Sequence, residues 1–145
     1  RELGKKLGVS QPTISRRRTI LEKELFDGYT IVPKWDKLGY EILALTFVKI
    51  KPEVATEERY KTSREKGMKW LMTQPNIIMN AASQGMGMDT FNLSVHKSYA
   101  DYDEWFRNFR LTWGDMVVDI QTVLVNLRGK EVTKPLHFKY LSEAK

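Results

Sequence analysis

The chain has no cysteine and only two histidines. The first absence excludes a disulfide framework and a thiolate zinc site, and it fits a reducing interior. The second leaves His96 and His137 as the sole imidazoles. Neither has a second histidine or an acid at ligand spacing, and there is no Ser/His/Asp set, carboxylate pair or phosphate loop beside them. No catalytic residue, metal site or cofactor is therefore expected. Long hydrophobic runs are missing too: the longest, Ile42 to Val48, is too short to span a bilayer, and no signal peptide is seen. A soluble, cytoplasmic protein without a membrane partner is expected. Internal repeats and low-complexity segments are also lacking. One further absence is local, because between Gly4 and Leu21 there is no acid. Lys5, Lys6, Arg16, Arg17 and Arg18 stand there unopposed in a chain whose net charge is +6, so positive charge is concentrated near the start.

What is present supports a folded protein. Hydrophobic residues make up 41% of 145 positions, with four tryptophans and six phenylalanines, enough for a core. That length suits one domain, or a short helical head followed by a compact body.

The basic stretch carries a helix-turn-helix pattern. Gly8 follows a short segment from Glu2 to Leu7, where glycine can take the positive φ that redirects the chain. Ser10 is an N-cap candidate, and Pro12 falls in the first helical turn, where its missing N–H leaves no bond unmade. A helix continuing to about Leu25 is expected. In such a motif the start of the second helix faces base edges in the major groove while flanking basic residues hold phosphates. Gln11, Thr13, Ser15, Arg16 and Arg17 are the candidate contacts, with Lys5 and Lys6 on the preceding helix reaching the backbone. Glutamine pairs with adenine and arginine with guanine through two hydrogen bonds each. The plainer alternative is a solvated arginine face.

Asp27-Gly28 marks a turn, and Tyr29 to Val32 alternate as a short strand stopped by Pro33. Trp35 to Gly39 is a second turn. The body then reads as a strand from Tyr40 to Lys51, a helix from about Val54 to Gln74 with Gly67 as a candidate interruption, and a hairpin of strands Ile77–Ser83 and Thr90–Lys97 around Gly85-Met86-Gly87. Ser98 is placed to cap a helix in which Tyr99, Tyr102, Trp105, Phe106, Phe109 and Trp113 recur at three- and four-residue steps. An aromatic stripe at that spacing is a core stripe, and Gly114 is placed as its C′ glycine. A strand from Met116 to Leu127 follows, with Val118, Ile120, Thr122 and Leu124 on one face, and Val132 to Leu141 is a candidate edge strand. The order β-α-β-β-α-β is the ferredoxin-like split βαβ arrangement, an α+β fold. Both helices cover one sheet face, and a second subunit is the expected cover of the other.

A helix-turn-helix head joined by a β-linker to such a body resembles the Lrp/AsnC (feast/famine) family of transcription regulators. The resemblance rests on ELGKKLGVSQPTISRRR, LEKELFDGYTIVPKWDKLGYEI, the turn GMGMD and the ending WGDMVVDIQTVLV. It implies a head over residues 1–27, a β-linker over 28–39 and a ligand-sensing, dimerising domain over 40–145. It also implies double-stranded DNA as a partner, a homodimer assembling into tetramers or octamers, and a small effector, typically an amino acid, bound between subunits. The effector loop would comprise Ser83, Gln84, Gly85, Met86, Gly87, Met88 and Asp89, with the acid meeting an amino group and glycine amides meeting a carboxylate. A plain hairpin turn is the alternative there.

Three features depart from the family pattern. The chain begins inside the motif, without the family's first helix. Arg18 stands where an aliphatic residue usually faces the head's core, between Ile14 and Leu21. The first body helix is unusually long and charged. Two other functions are distinguishable: a tetrapyrrole enzyme like the sirohaem decarboxylases, resting on His96 and His137, and a sensing module that does not bind DNA itself.

Overall fold

A computed structural model describes residues 2–138. It separates into two compact units, one running to Pro33 and one from Lys34 onward.

In the first unit α1 (Glu2–Leu7) and α2 (Gln11–Leu25) are joined by a three-residue turn. Gly8 has φ +64°, the left-handed conformation that ends α1. Gly4 permits the close approach of the turn, since a Cβ there would lie 3.0 Å from the Val9 carbonyl oxygen. The alternating Tyr29–Val32 segment does not form the expected strand; residues 28–34 carry no strand, and Ile31 and Val32 are exposed. Two-residue alternation marks a strand only where a neighbouring strand supplies the ladder, and none is offered here.

The second unit opens with the expected turn, closed by Gly39 at φ +80° and by the Tyr40 N–H donating to the Trp35 carbonyl. Then follow β1 (Ile42–Ile50), α3 (Lys61–Thr73), β2 (Ile77–Ala82), β3 (Thr90–His96), α4 (Tyr99–Trp113) and β4 (Val117–Asn126). All pairs are antiparallel in the order β2-β3-β1-β4, the ferredoxin-like topology anticipated from the sequence. Ser98 caps α4 by accepting from the Asp101 amide.

Four local expectations are corrected. The single helix from Val54 to Gln74 is instead two 3-10 turns, Pro52–Ala55 and Glu58–Tyr60, before α3 begins at Lys61. Pro52 sets the first turn, and neither has a side-chain cap to propagate a helix. Gly67 does not interrupt α3. It is buried against Trp113, and a Cβ there would stand 2.7 Å from that ring, so only glycine fits. Gly114 is right-handed (φ −53°) and starts a 3-10 turn, so it is not a C′ glycine. No strand forms over residues 132–138, and the rest of that expected edge strand lies outside the described residues.

Residues paired across strands share a face of the sheet. Ala44, Thr46 and Val48 of β1 oppose Ser94, Asn92 and Thr90 of β3, and Leu124, Thr122 and Ile120 of β4. This side meets Tyr102, Trp105 and Phe109 of α4. Trp70 of α3 adds a second contact, with ring centroids 6.0 Å from Trp105 and 5.9 Å from Phe109. Beneath these rings Thr46, Asn92, Ser94 and His96 form a buried polar row. The opposite side carries Leu43, Leu45, Phe47, Phe91, Leu93, Val95, Val123 and Val125, assigned by the same register. Val95 alone among them is fully buried.

His96 is 0% exposed, its Nε2 is 2.8 Å from Ser94 Oγ, and it lies against the Tyr102 and Trp105 rings. Burial lowers its pKa, and the nearby Asp101 opposes this. A base with a depressed folded pKa binds fewer protons folded than unfolded, so its stability contribution is lost as pH falls below about 6.5. Thermal unfolding between pH 7.5 and 5 should show a falling midpoint, with a shallower fall in His96→Gln; equal slopes would contradict this. Overpacking at Gly67 costs about 1–3 kcal/mol, more than the roughly 1 kcal/mol of helix propensity that alanine adds. Gly67→Ala should therefore lower the midpoint by a few degrees.

Candidate functional sites

α2 is built to present its beginning. The Ser10 hydroxyl accepts from the Thr13 amide at 3.4 Å and lies 2.8 Å from the Thr13 hydroxyl, and Pro12 sits in the first turn. Gln11, Ser15, Arg16 and Arg17 are exposed, as are Lys5 and Lys6 in the last turn of α1. Thr13 is half-buried and its hydroxyl is engaged with Ser10, so it acts first as part of the cap. Consecutive helical residues turn by about 100°, which spreads the three arginines around the helix. Gln11, Ser15 and Arg18, at i, i+4 and i+7, share a face, while Arg16 and Arg17 lie on the far half of the helix.

Arg18, which stands where the family pattern has an aliphatic residue, is accommodated on the outside. It does not face a core. Its side chain is exposed and pairs with Glu22, four residues on. The Tyr29 hydroxyl donates to the same Glu22 carboxylate, tying the chain beyond α2 back to the helix. These two hydrogen bonds hold the Glu22 carboxyl below its ordinary range and raise the Arg18 guanidinium. The i, i+4, i+7 spacing from Gln11 was the available signal for Arg18. Apolar packing within this unit is slight, with Ile14 half-buried and no residue of α2 fully buried.

The second candidate, Ser83 to Asp89, is the loop between β2 and β3. Gly85, Met86 and Gly87 have φ of +126°, +52° and +70°, so three successive residues are left-handed. The loop is closed by the Ser83 amide donating to the Asp89 carbonyl and the Met88 amide to the Gly85 carbonyl. Met88 is buried and Met86 exposed. The Ser83 hydroxyl oxygen is buried without a hydrogen-bond partner. Asp89 is already occupied: its amide donates to the Val48 carbonyl and its Oδ2 accepts from the Ile50 amide at 2.8 Å, beside the register shift at Lys49/Ile50. The carboxylate thus clips the end of β1 to the hairpin, with one oxygen left for other partners. A role as a strand clip was not visible in the sequence, because it depends on contact between residues 39 apart.

Of the two histidines, His96 is enclosed by aromatic rings and bound to Ser94, with no approach for a tetrapyrrole. His137 is half-buried. No group of three or more metal-ligating side chains occurs among the described residues, and no helix among them is long and apolar enough to cross a membrane.

No protein-family model matches the chain. Over 53 residues, 36% of its length, it is 40% identical to the HTH-type transcriptional regulator LrpA of Pyrococcus horikoshii, and it spans only 38% of that relative's length. Its fold is similar to that of a transcriptional regulator from Neisseria meningitidis in complex with L-Met, at 17% identity and TM-score 0.68, covering 86% of this chain and 75% of that one. It is likewise similar to E. coli AsnC, at 21% identity and TM-score 0.67, over 86% of this chain and 77% of that one. An AsnC family transcriptional regulator from Agrobacterium tumefaciens matches at 15% identity and TM-score 0.65, over 97% of this chain and 86% of that one. The class defined by these likenesses is an α+β fold, a helical start followed by a four-stranded antiparallel sheet with two helices. The chain is thus similar to Lrp/AsnC proteins in fold and, over those 53 residues, to LrpA in sequence. Three of these four similar proteins are named as transcriptional regulators and none as an enzyme.

Asp89→Ala should destabilise the body by about 1 kcal/mol, because the Ile50 amide loses a charged acceptor at an exposed site. Asp89→Asn, which keeps an acceptor oxygen, should recover most of this in denaturant unfolding; an equal loss in both variants would contradict the clip.

Proposed function

We propose that the chain is a DNA-binding transcription regulator of the Lrp/AsnC kind, a cytoplasmic protein whose assembly answers to a small effector. The observation that carries this reading is the capped start of α2, with Gln11 and Ser15 exposed on one face and three exposed arginines in the following turn. Gln11, Ser15 and Arg16 read base edges, Arg17, Lys5 and Lys6 hold phosphates, and Thr13 orders the turn. Residues 1–27 act as the head, 28–39 as the linker and 40–145 as the sensing and pairing domain.

The apolar sheet face supports pairing with a second copy. Phe47 and Phe91 stand 6.2 Å apart there, and Val123 is 55% exposed in the single chain. An exposed apolar surface marks a site of interaction. Two copies meeting face to face would bring two α2 helices into one assembly, as a two-fold operator requires, and further dimers would build tetramers or octamers. The effector is an amino acid held at Ser83–Asp89, where the left-handed backbone brings amides to the surface and the second Asp89 oxygen meets an ammonium group. The Neisseria regulator was solved with L-Met, which favours this ligand class.

Affinity for a duplex selected from a random library should fall steeply with salt, with a log–log slope near −0.9 for each phosphate neutralised. Gln11→Ala should flatten sequence preference at one base pair by about 1–3 kcal/mol. Lys5→Ala should instead weaken all sequences alike and reduce the slope by about one contact. Salt-independent binding would overturn the proposal. For the effector, an amino-acid panel should raise the thermal midpoint of the native chain and not of Asp89→Asn; no shift with any amino acid leaves the loop a plain turn.

A further inference from the structure

The body contains a small recess, partly open to solvent, whose lining includes no residue of the Ser83–Asp89 loop. It lies between α3, α4 and the helix-facing side of the sheet, and its volume is about 110 Å³. Its walls are largely apolar, from Val48 and Ile50 of β1, Leu71 of α3 and Phe109 of α4. Thr90, Asn92 and Trp113 interrupt them with polar atoms, and the Thr90 hydroxyl is already spent on the Ala81 carbonyl. Asn92 is 2% exposed and its Oδ1 has no hydrogen-bond partner; the Trp113 indole N–H, also buried, has none either. One is an acceptor and the other a donor. A buried polar group left unpaired costs free energy that a ligand or water with matching chemistry recovers. Met68 and Asn80, both exposed, stand at its solvent side.

We infer that this cavity is a binding site for a small neutral molecule, a branched aliphatic alcohol of about four to six heavy atoms. Its size follows from the volume, which is below the roughly 150 Å³ that admits benzene. Its neutrality follows from the lining, which holds no charged side chain, so a zwitterion would lose its hydration without compensation. The polar requirement follows from Asn92 and Trp113, since a hydroxyl can both donate and accept. This separates the site from one for free amino acids and does not depend on the proposed regulation.

The test uses the full chain labelled with 5-fluorotryptophan, whose four indoles give separate ¹⁹F resonances, with Trp113 assigned by Trp113→Phe. Titration with 2-methylpropan-1-ol should shift the Trp113 resonance saturably, with half-saturation in the millimolar range expected for so few atoms. Asn92→Leu should weaken binding at least tenfold, and Leu71→Phe, which fills the space, should abolish it. The native chain alone suffices to overturn the inference: a linear drift of all four resonances, or no shift, means that the cavity holds water only. A saturable shift that persists in Leu71→Phe would place the alcohol elsewhere and also overturn it.

Discussion

The body depends on one packing contact, the aromatic ridge of α4 seated on a sheet face whose centre is polar. Tyr102, Trp105 and Phe109 cover Thr46, Asn92, Ser94 and His96 and remove them from water. This is affordable only in part through pairing: His96 is matched with Ser94 and Thr46 with Thr122, while Asn92 Oδ1 and His96 Nδ1 remain unpartnered. Close-packed rings offset that cost, with Trp105–Phe109 and Phe109–Trp113 centroids 5.8 and 6.3 Å apart. At the end of the ridge Trp113 rests on Gly67, and this fixes how near α3 can come. The cavity between the helices and the sheet is what this spacing leaves open.

Such an arrangement distributes apolar residues unusually. The helices take the polar row, and the leucines and phenylalanines of β1 and β3, with Val123 and Val125 of β4, go to the other face. Trp35 and residues 131–136 border one end of that face, around Leu43, Leu93 and Val125. Leu45, Phe47, Phe91 and Val123 are left without a cover from these segments. In the proposed function the second copy supplies it, and the DNA-reading helices come in pairs because the sheets do.

Much of this was legible in the residues. Strong periodicity located α4 and the sheet strands, and capping chemistry located the start of α2, because both are set by neighbours in sequence. The strand expected at Tyr29–Val32 and the long helix expected from Val54 failed for a common reason: pattern was present but the partner or cap that completes it was not. Among the site residues, the exposure of Gln11, Ser15 and the lysines followed from helix geometry, whereas the Asp89 clip required the fold to bring Ile50 beside it. Arg18 departs from the aliphatic position of the resembled pattern, and its four-residue spacing to Glu22 accounts for its place on the outer face. The polar row was illegible for another reason, since threonine, serine and asparagine in a strand do not announce which face is covered.

The central claim is that reading DNA depends on pairing through the open sheet face. Sedimentation velocity of the chain with a fluorescent duplex, selected from a random library by the native protein, tests it most directly. The native chain should sediment with the duplex as a dimer or a multiple of one. Leu45→Asp, which sets like charges into that face, should stay folded, sediment as a monomer and lose high-affinity binding. A Leu45→Asp chain that still binds as the native assembly would contradict the account.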